Sequence, residues 1–380
     1  MLVPHATWLE ISKSAFEKNL AMYRNLIGDR LLCSVVKANA YGHGLSLCAP
    51  FLEPFTSWFG VNSVWEAGVL RGLGIQKPLY ILGPVLSHEL PDVVRYDCRI
   101  VISNLEIAKK LSEIAVKMGK KVLVHMKVET GNHRQGVMAE EALSFAQAIM
   151  CEPGLVLEGI TTHFSNIEDL LDHSYADHQI SLFKKIILEL ESNTIFIPVK
   201  HCANTAATLL FPQTYFNMTR VGIGLYGLCP SPETLASLAH LDKKFIQFHP
   251  VLSWKTKIAQ IKKVPKGSFV GYGCTHETTR PTTLAILPVG YYDGYDRGLS
   301  NISSVLIHGK RAPVRGRVCM NMIIVDVTDI PNVSLEDCVT LIGRDGEENI
   351  SADELADLAK TIHWEMTTRI RESIPRMLVA

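Results

Sequence analysis

Lys37 closes an apolar run, Leu31 to Val36, and a string rich in small residues follows it: Ala38-Asn39-Ala40-Tyr41-Gly42-His43-Gly44. The run reads as a buried strand and the string as a turn. A lysine ending a buried strand is costly unless its stem snorkels to solvent or the amine has a task. One such task is a Schiff base with an aldehyde cofactor, because desolvation lowers the amine pKa and frees the nucleophile. Further chemistry-bearing residues stand at the ends of later apolar runs: Arg134, His163, Asn204-Thr205, Arg220 and Gly222-Ile223.

The elements that must position them alternate. Apolar β-rich runs at Leu32–Val36, Trp58–Val61, Leu79–Leu82, Ile100–Ile102, Val122–Val128, Leu155–Thr162, Ile195–His201 and Met218–Val221 are separated by helical stretches such as Leu105–Met118, Ala139–Met150 and Tyr175–Leu190. Eight strands alternating with helices argue for a (β/α)8 barrel, commonly ~250 residues long. A doubly wound sheet is the alternative, but no G-x-G-x-x-G follows the first strand. In a barrel, all the residues named above fall on the rim formed by the C-terminal strand ends, where barrel enzymes keep their sites.

After about residue 240 the texture changes to alternating runs, at Val251–Ile261, Leu284–Val289, Val305–His308 and Val318–Val327, punctuated by turns such as Lys266-Gly267 and Gly343-Arg344-Asp345-Gly346. The sequence thus predicts a barrel domain over residues 11–240 and a mainly β domain over 241–380, with an early strand near Trp8–Ile11.

Loops after the seventh and eighth strands of a barrel often bind phosphate with help from a helix N-terminus. Asn204-Thr205 opens a short helix, and Gly222-Ile223 lets backbone amides approach closely because Gly222 has no Cβ. Tyr41 can add a phenol donor. Each feature alone is also read as a plain N-cap or strand-end turn; on adjacent loops they favour an anion.

The string Ser34 to Gly44 closely resembles the pyridoxal 5'-phosphate lysine motif of the alanine racemases. Thr219-Arg220-Val221-Gly222-Ile223-Gly224-Leu225-Tyr226-Gly227 resembles the family's segment whose arginine meets the pyridine nitrogen. A cationic donor there leaves that nitrogen unprotonated and disfavours transamination. Val270-Gly271-Tyr272-Gly273-Cys274-Thr275-His276 resembles the strand carrying the family's catalytic tyrosine. The resemblance implies a two-base racemase. Lys37 serves one face of the substrate, and Tyr272 from the partner subunit serves the other, with His163 and Arg220 as its neighbours. A phenol, ordinarily near pKa ~10, needs nearby cations to work near neutrality.

The same resemblance implies further roles. Arg134 fixes the substrate carboxylate, and Lys127 is the lysine that the family often carbamylates. Met320, in Cys319-Met320-Asn321-Met322, binds the substrate in trans, and Tyr291 lies on the loop at the site's entrance. Trp364 stands where the family has a tyrosine near the phosphate, and the N-terminal strand, within residues 1–10, joins the second domain. The likeness runs from about Trp8 to Met377. It implies a homodimer with composite sites that supplies D-alanine for cell-wall peptide synthesis.

Composition excludes several classes. Lys+Arg and Asp+Glu balance at 38 each over 380 residues, which argues for neither nucleic acid nor an anionic membrane as partner. No run approaches the ~20 apolar residues of a membrane span. The N-terminus lacks the pattern of a signal peptide. Nine scattered cysteines without a C-x-x-C pair fit reduced thiols in a cytoplasm and no metal site.

The sequence departs from the family at Asn132-His133-Arg134, where Met-Gly-Arg is usual, and at Asn321, His276 and Trp364. An indole is bulkier and differently aimed than a phenol, so a racemase of another small amino acid, such as serine, is the alternative. A decarboxylase on this scaffold would need a carboxylate where Arg220 stands. A non-catalytic cofactor carrier would not need Tyr272 or the second domain. A catalytically dead structural protein would not need the intact set of Lys37, Arg134, His163, Arg220 and Tyr272.

Overall fold

A computed structural model describes residues 5–168, 172–243 and 245–380. The chain divides into two compact units. One comprises Phe16–Ala40 and Cys48–His249; the other comprises the segment ending at Ala15, Tyr41–Leu47 and Pro250–Ala380.

The first unit is a parallel barrel with helices between its strands. The strands pair in the order Met218–Val221, Leu31–Val35, Trp58–Val61, Leu79–Ile81, Cys98–Ile102, Val122–Lys127, Leu155–Thr161 and Val199–His201. Registers such as Cys33 with Trp58 and Cys33 with Arg220 bring the chemistry-bearing strand ends to one rim. The two end strands are joined by Asn217 N–H to Lys200 O (3.1 Å) and Arg220 N–H to Ala203 O (3.0 Å), which closes the circle. Cys33, Trp58, Tyr80, Val101 and Met218 pack the interior. The (β/α)8 expectation therefore holds.

Most strand ends differ from the sequence reading by one or two residues, and three runs differ by more. The seventh strand starts at Val199 rather than Ile195, because Pro198 has no N–H for a ladder. The run Val251–Ile261 is two strands, Leu252–Lys257 and Gln260–Val264. The chain changes sheets between them: Ile258 N–H donates to Asp337 O (3.1 Å) and Ala259 N–H to Ile286 O (2.9 Å). Only Ile323–Asp326 of the run from Val318 is strand, since Cys319 N–H folds back onto Met322 O (2.9 Å).

The second unit is mainly β. Its larger sheet runs Lys310–Pro313, Ser304–Ile307, Cys338–Asp345, Leu252–Lys257, Thr7–Ser12 and Arg376–Val379, with Glu348–Ile350 paired to Cys338–Asp345. The early strand sits between its neighbours, antiparallel to Leu252–Lys257 and parallel to Arg376–Val379. Residues 1–4 of the expected N-terminal strand lie outside the described residues. Gln260–Val264, Thr282–Leu287 and Ile323–Asp326 form a smaller sheet, and Phe269–Val270 with His276–Glu277 form a short hairpin. Among the described residues no helix is long and apolar enough to cross a membrane, and no group of three or more His, Cys, Asp or Glu is placed to hold a metal ion.

Candidate active site

Lys37 leaves the barrel directly after Val36, whose N–H donates to Gly60 O (2.8 Å). The backbone then takes a conformation that the expected turn did not foresee. Ala38, Asn39 and Ala40 have φ/ψ near 53/53°, 54/46° and 54/50°, and Tyr41 has φ 54°, so this is a left-handed helical turn without glycine. Each such residue costs roughly 1–2 kcal/mol, so the turn needs an anchor. Glu66 provides one. Its Oε1 accepts from Ala38 N–H (2.7 Å) and its Oε2 from Asn62 N–H (2.6 Å), while its own N–H is capped by Ser63 Oγ (3.2 Å). Burial lowers the pKa of the Lys37 amine, Arg134 lowers it further, and Glu66 opposes them.

Lys37 belongs to a group of coupled cations. Burial lowers Lys127 to about 8, helped by Arg134 and Arg220 and opposed by Glu129. His163 is held well below its ordinary range by burial first, then by Arg220, Arg134, Lys127 and Lys37, and so is a neutral imidazole at pH 7. Arg134 itself is exposed, on a loop that Glu129 Oε1 organises by accepting from Gly131 N–H (2.7 Å) and Asn132 N–H (2.6 Å). Lys127 Nζ donates to Gln135 Oε1 (3.4 Å) on the same loop.

Arg220 is buried, and the barrel fixes its guanidinium completely but for one donor. One terminal nitrogen donates to Thr161 Oγ1 (3.1 Å) and His201 Nδ1 (2.6 Å), and the other donates to the carbonyls of Thr162 (3.0 Å) and Cys202 (3.1 Å). Of the five guanidinium N–H groups, only Nε–H has no protein partner among the described residues.

The contact with His201 begins a chain in which every proton is assigned. Arg220 can only donate, so His201 Nδ1 is the acceptor and its proton sits on Nε2. His201 Nε2 lies 2.7 Å from His125 Nδ1, and His125 Nε2 lies 3.1 Å from Glu158 Oε2, which also meets Arg99 Nε at 3.1 Å. Both imidazoles are therefore neutral. Burial lowers the pKa of each. Burial raises the Glu158 carboxyl, but His125 and Arg99 outweigh it and bring it below its ordinary value.

On the neighbouring loops, Asn204 is the N-cap and accepts from Ala207 N–H (2.9 Å), and Thr205 is the first helical residue. Gly222 N–H donates to Thr205 Oγ1 (3.1 Å), so the two expected anion loops are bonded to each other, and the hydroxyl keeps its hydrogen to donate. Ile223 begins a short 3-10 turn.

The remaining predicted residues belong to the other unit. Tyr41 is buried. Tyr272 tops the hairpin between Val270 and His276 and is 72% exposed. Tyr291 and Met320 are brought together: Tyr291 N–H donates to Cys319 O (3.1 Å) and Tyr292 N–H to Met320 O (2.9 Å). A Cβ at Gly290 would lie 2.5 Å from Met320 O, so glycine is required for this approach. Trp364 stacks on His363 with ring centroids 4.1 Å apart, and His363 Nδ1 meets Asp353 Oδ1 at 2.9 Å.

Sequence reasoning missed Glu66, Glu158 and the linked His125 and His201. The Ser63-x-x-Glu66 capping box was legible as a helix start, but not its reach across to Ala38. The histidine pair is legible only once the barrel sets the strands side by side.

A barrel rim gathering a desolvated lysine, a neutral histidine and a fixed arginine, in a chain with a second β unit, is the framework of an amino-acid racemase. Family models for the N-terminal domain of alanine racemase match residues 11–230, and models for its C-terminal domain match residues 251–378. An alanine racemase of Leptospira interrogans is 41% identical over 99% of this chain and 96% of its own length. The solved alanine racemase of Clostridium difficile 630 superposes with a TM-score of 0.93 at 32% identity, over 100% of this chain and 97% of that one. An alanine racemase from Bartonella henselae, solved with covalently bound pyridoxal phosphate, gives a TM-score of 0.85 at 25% identity over 99% and 100% of the two chains. The chain belongs to the alanine racemase family, and its activity is that of an isomerase.

The buried neutral histidines give a pH test. Their folded pKa values are depressed, so the unfolded chain binds more protons as pH falls below about 6.5. Stability should therefore be full above that pH and decline beneath it. Urea unfolding between pH 7.5 and 5 should show this decline in wild type and a shallower one in His201→Asn, measured against the variant's own pH 7.5 value.

Proposed function

We propose that this chain interconverts L- and D-alanine with pyridoxal 5'-phosphate by a two-base mechanism, as a homodimer with composite sites. The observation that carries the cofactor reading is the charge of the barrel rim. Lys37, Lys127, Arg134 and Arg220 act on one another or on His163, opposed by Glu66 and Glu129. That excess of positive charge fits an anionic, phosphate-bearing cofactor, and the one open Arg220 donor fits a ring nitrogen that accepts. When bound, the cofactor supplies an electron sink that acidifies the substrate Cα–H.

The chain's own residues do the rest. Lys37 would hold the cofactor's aldehyde, and Tyr41, Asn204, Thr205, Gly222, Ile223 and Trp364 would hold its phosphate. Arg220 would hold the ring nitrogen through its open donor while remaining charged, which would limit delocalisation and disfavour transamination. Arg134 and the backbone at Met320 would hold the substrate carboxylate, and Tyr291 guards the entrance. Lys127, a cation only as the free amine, would become an anion on carbamylation and pair with Arg134 to orient it, leaving Lys37, Arg134 and Arg220 as the rim's positive charge.

Lys37 Nζ moves the proton on one face and Tyr272 Oη of the partner subunit moves it on the other, with His163 beside the phenol. The lowered Lys37 pKa supports the first role, because an amine must lose its proton to act as a base. The exposure of Tyr272 (72%) and Met320 (54%) supports residues that complete a partner's site.

Residues 11–240 are taken as the cofactor domain and 241–380, with the strand within 1–10, as the second. The nine free cysteines support a reducing, cytoplasmic setting, where D-alanine would feed cell-wall peptide synthesis. Trp364, stacked on His363, supports a second reading in which serine is the preferred substrate.

Chiral chromatography of separate L-alanine and L-serine incubations tests substrate choice: alanine should approach an equal mixture of enantiomers faster than serine, and the reverse result moves the substrate. Lys37→Ala should abolish inversion of both; wild-type rates in that variant would defeat the reading. Tyr272→Phe should slow abstraction from one enantiomer more than from the other, read from solvent-hydrogen isotope effects in each direction, and equal losses would count against two bases.

A further inference from the structure

Tyr272 sits on a turn that has little to hold it. None of Tyr272–Cys274 is buried, and the flanking strands Phe269–Val270 and His276–Glu277 are two residues each. Gly271, Gly273 and Cys274 have φ of 72°, 74° and 51°, so the backbone is held away from its ordinary conformations. Packing does not position this phenol, so specific bonds must.

The structure assigns that task to Asn301. Gly316 N–H lies 2.6 Å from Asn301 Oδ1 and can only donate, which fixes the amide's orientation. The amide nitrogen then faces Thr275 Oγ1 at 3.1 Å, at the end of the Tyr272 turn. Asn301, itself left-handed with φ 64°, thus spans two segments with one side chain. One segment carries Tyr272 and the other leads to Met320. The preceding residue repeats the grip on the second segment, since Ser300 Oγ accepts from Val318 N–H (3.0 Å).

The two segments touch as well. A Cβ at Gly316 would lie 2.5 Å from Val270 O, and one at Gly273 would lie 2.9 Å from the Arg317 guanidinium. Asn301 is therefore a positioning residue that sets the proton carrier and the carboxylate-binding loop in one register. This rests on the reading of Tyr272 and Met320 given above.

The test uses the cofactor-loaded dimer, hydrogen–deuterium exchange and kinetics in both directions. Thr275→Val is an exposed change that cuts only the Tyr272 side. It should speed exchange at residues 271–275 and lower kcat about 10- to 100-fold with KM unchanged, as misplacement of a reacting group by an ångström can. Asn301→Leu cuts both sides, so exchange at residues 316–322 should also rise and KM should increase. Thr275→Ser and Asn301→Asp should restore both readouts, because the aspartate can accept from Gly316 N–H and from the threonine hydroxyl.

Wild-type exchange and wild-type kcat in Thr275→Val and Asn301→Leu, with Tyr272→Phe impaired, would overturn the role of Asn301. Faster exchange in both variants with Tyr272→Phe fully active would instead support the tie and overturn the reading of Tyr272 beneath it.

Discussion

The hydrogen bond from Arg220 to His201 is the interaction on which the barrel's interior depends. A guanidinium cannot accept and does not lose its proton, so it dictates the tautomer of His201, which dictates that of His125, which ends on a carboxylate. The arrangement removes all freedom from a chain of groups that could otherwise titrate. Protonating either imidazole would put two donors face to face across 2.6–2.7 Å in a buried place. Burial lowers the pKa of each histidine first, and the fixed direction of the Arg220 donor acts in the same sense. An arginine held by four protein bonds presents its fifth N–H without reorganisation, which is how a preorganised site acts.

The cation group on the rim poses the opposite problem. Mutual repulsion among Lys37, Lys127, Arg134 and Arg220 is unfavourable in the isolated protein, and burial makes it more so. Two lysines yield by lowering their pKa, and a histidine yields by staying neutral. The arginines cannot yield. Such an excess of charge favours an anion, and the Lys37 pKa falls first through burial and then through Arg134. In the reading proposed above, electrostatics would connect cofactor affinity with the readiness of Lys37 as a base.

Much of this was legible in the residues. Eight apolar runs alternating with helices prescribe the barrel, and placing Lys37, Arg134, His163 and Arg220 at strand ends puts them on one rim without knowledge of their contacts. Failures came where backbone or pairing mattered more than side-chain pattern. Pro198 shortens a run that reads as continuous strand. Ile258-Ala259 passes between sheets within a run that reads as one strand. Nothing in the sequence pattern marks Glu158, yet it closes the histidine chain; the register shift that sets His125 beside Gly159 brings it there. A Cβ at Gly159 would lie 2.2 Å from His125 Nδ1, so that glycine makes room for the ring, a constraint invisible until the strands are paired.

The two proposed proton carriers differ in their backbone setting from Arg220 and Lys127. Arg220 and Lys127 project from regular strands, where the ladder fixes them. Lys37 precedes a run of left-handed residues, and Tyr272 is flanked by residues of positive φ, Gly271 and Gly273. A charge that tunes a cofactor tolerates small displacements, because Coulomb energy varies slowly with distance. Proton transfer does not, because the acceptor must reach hydrogen-bond distance of one hydrogen. Regular strands offer only the directions their pleat allows, so aiming a base outside those directions requires unusual backbone, and unusual backbone persists only where the surroundings over-determine it. Glu66 does this for the first turn. A Cβ at Gly42 would lie 1.9 Å from Thr367 O, so the chain leaving that turn has one permitted path. For the second turn the available ties are fewer and lie near the surface, which makes Tyr272 the less rigidly held of the two.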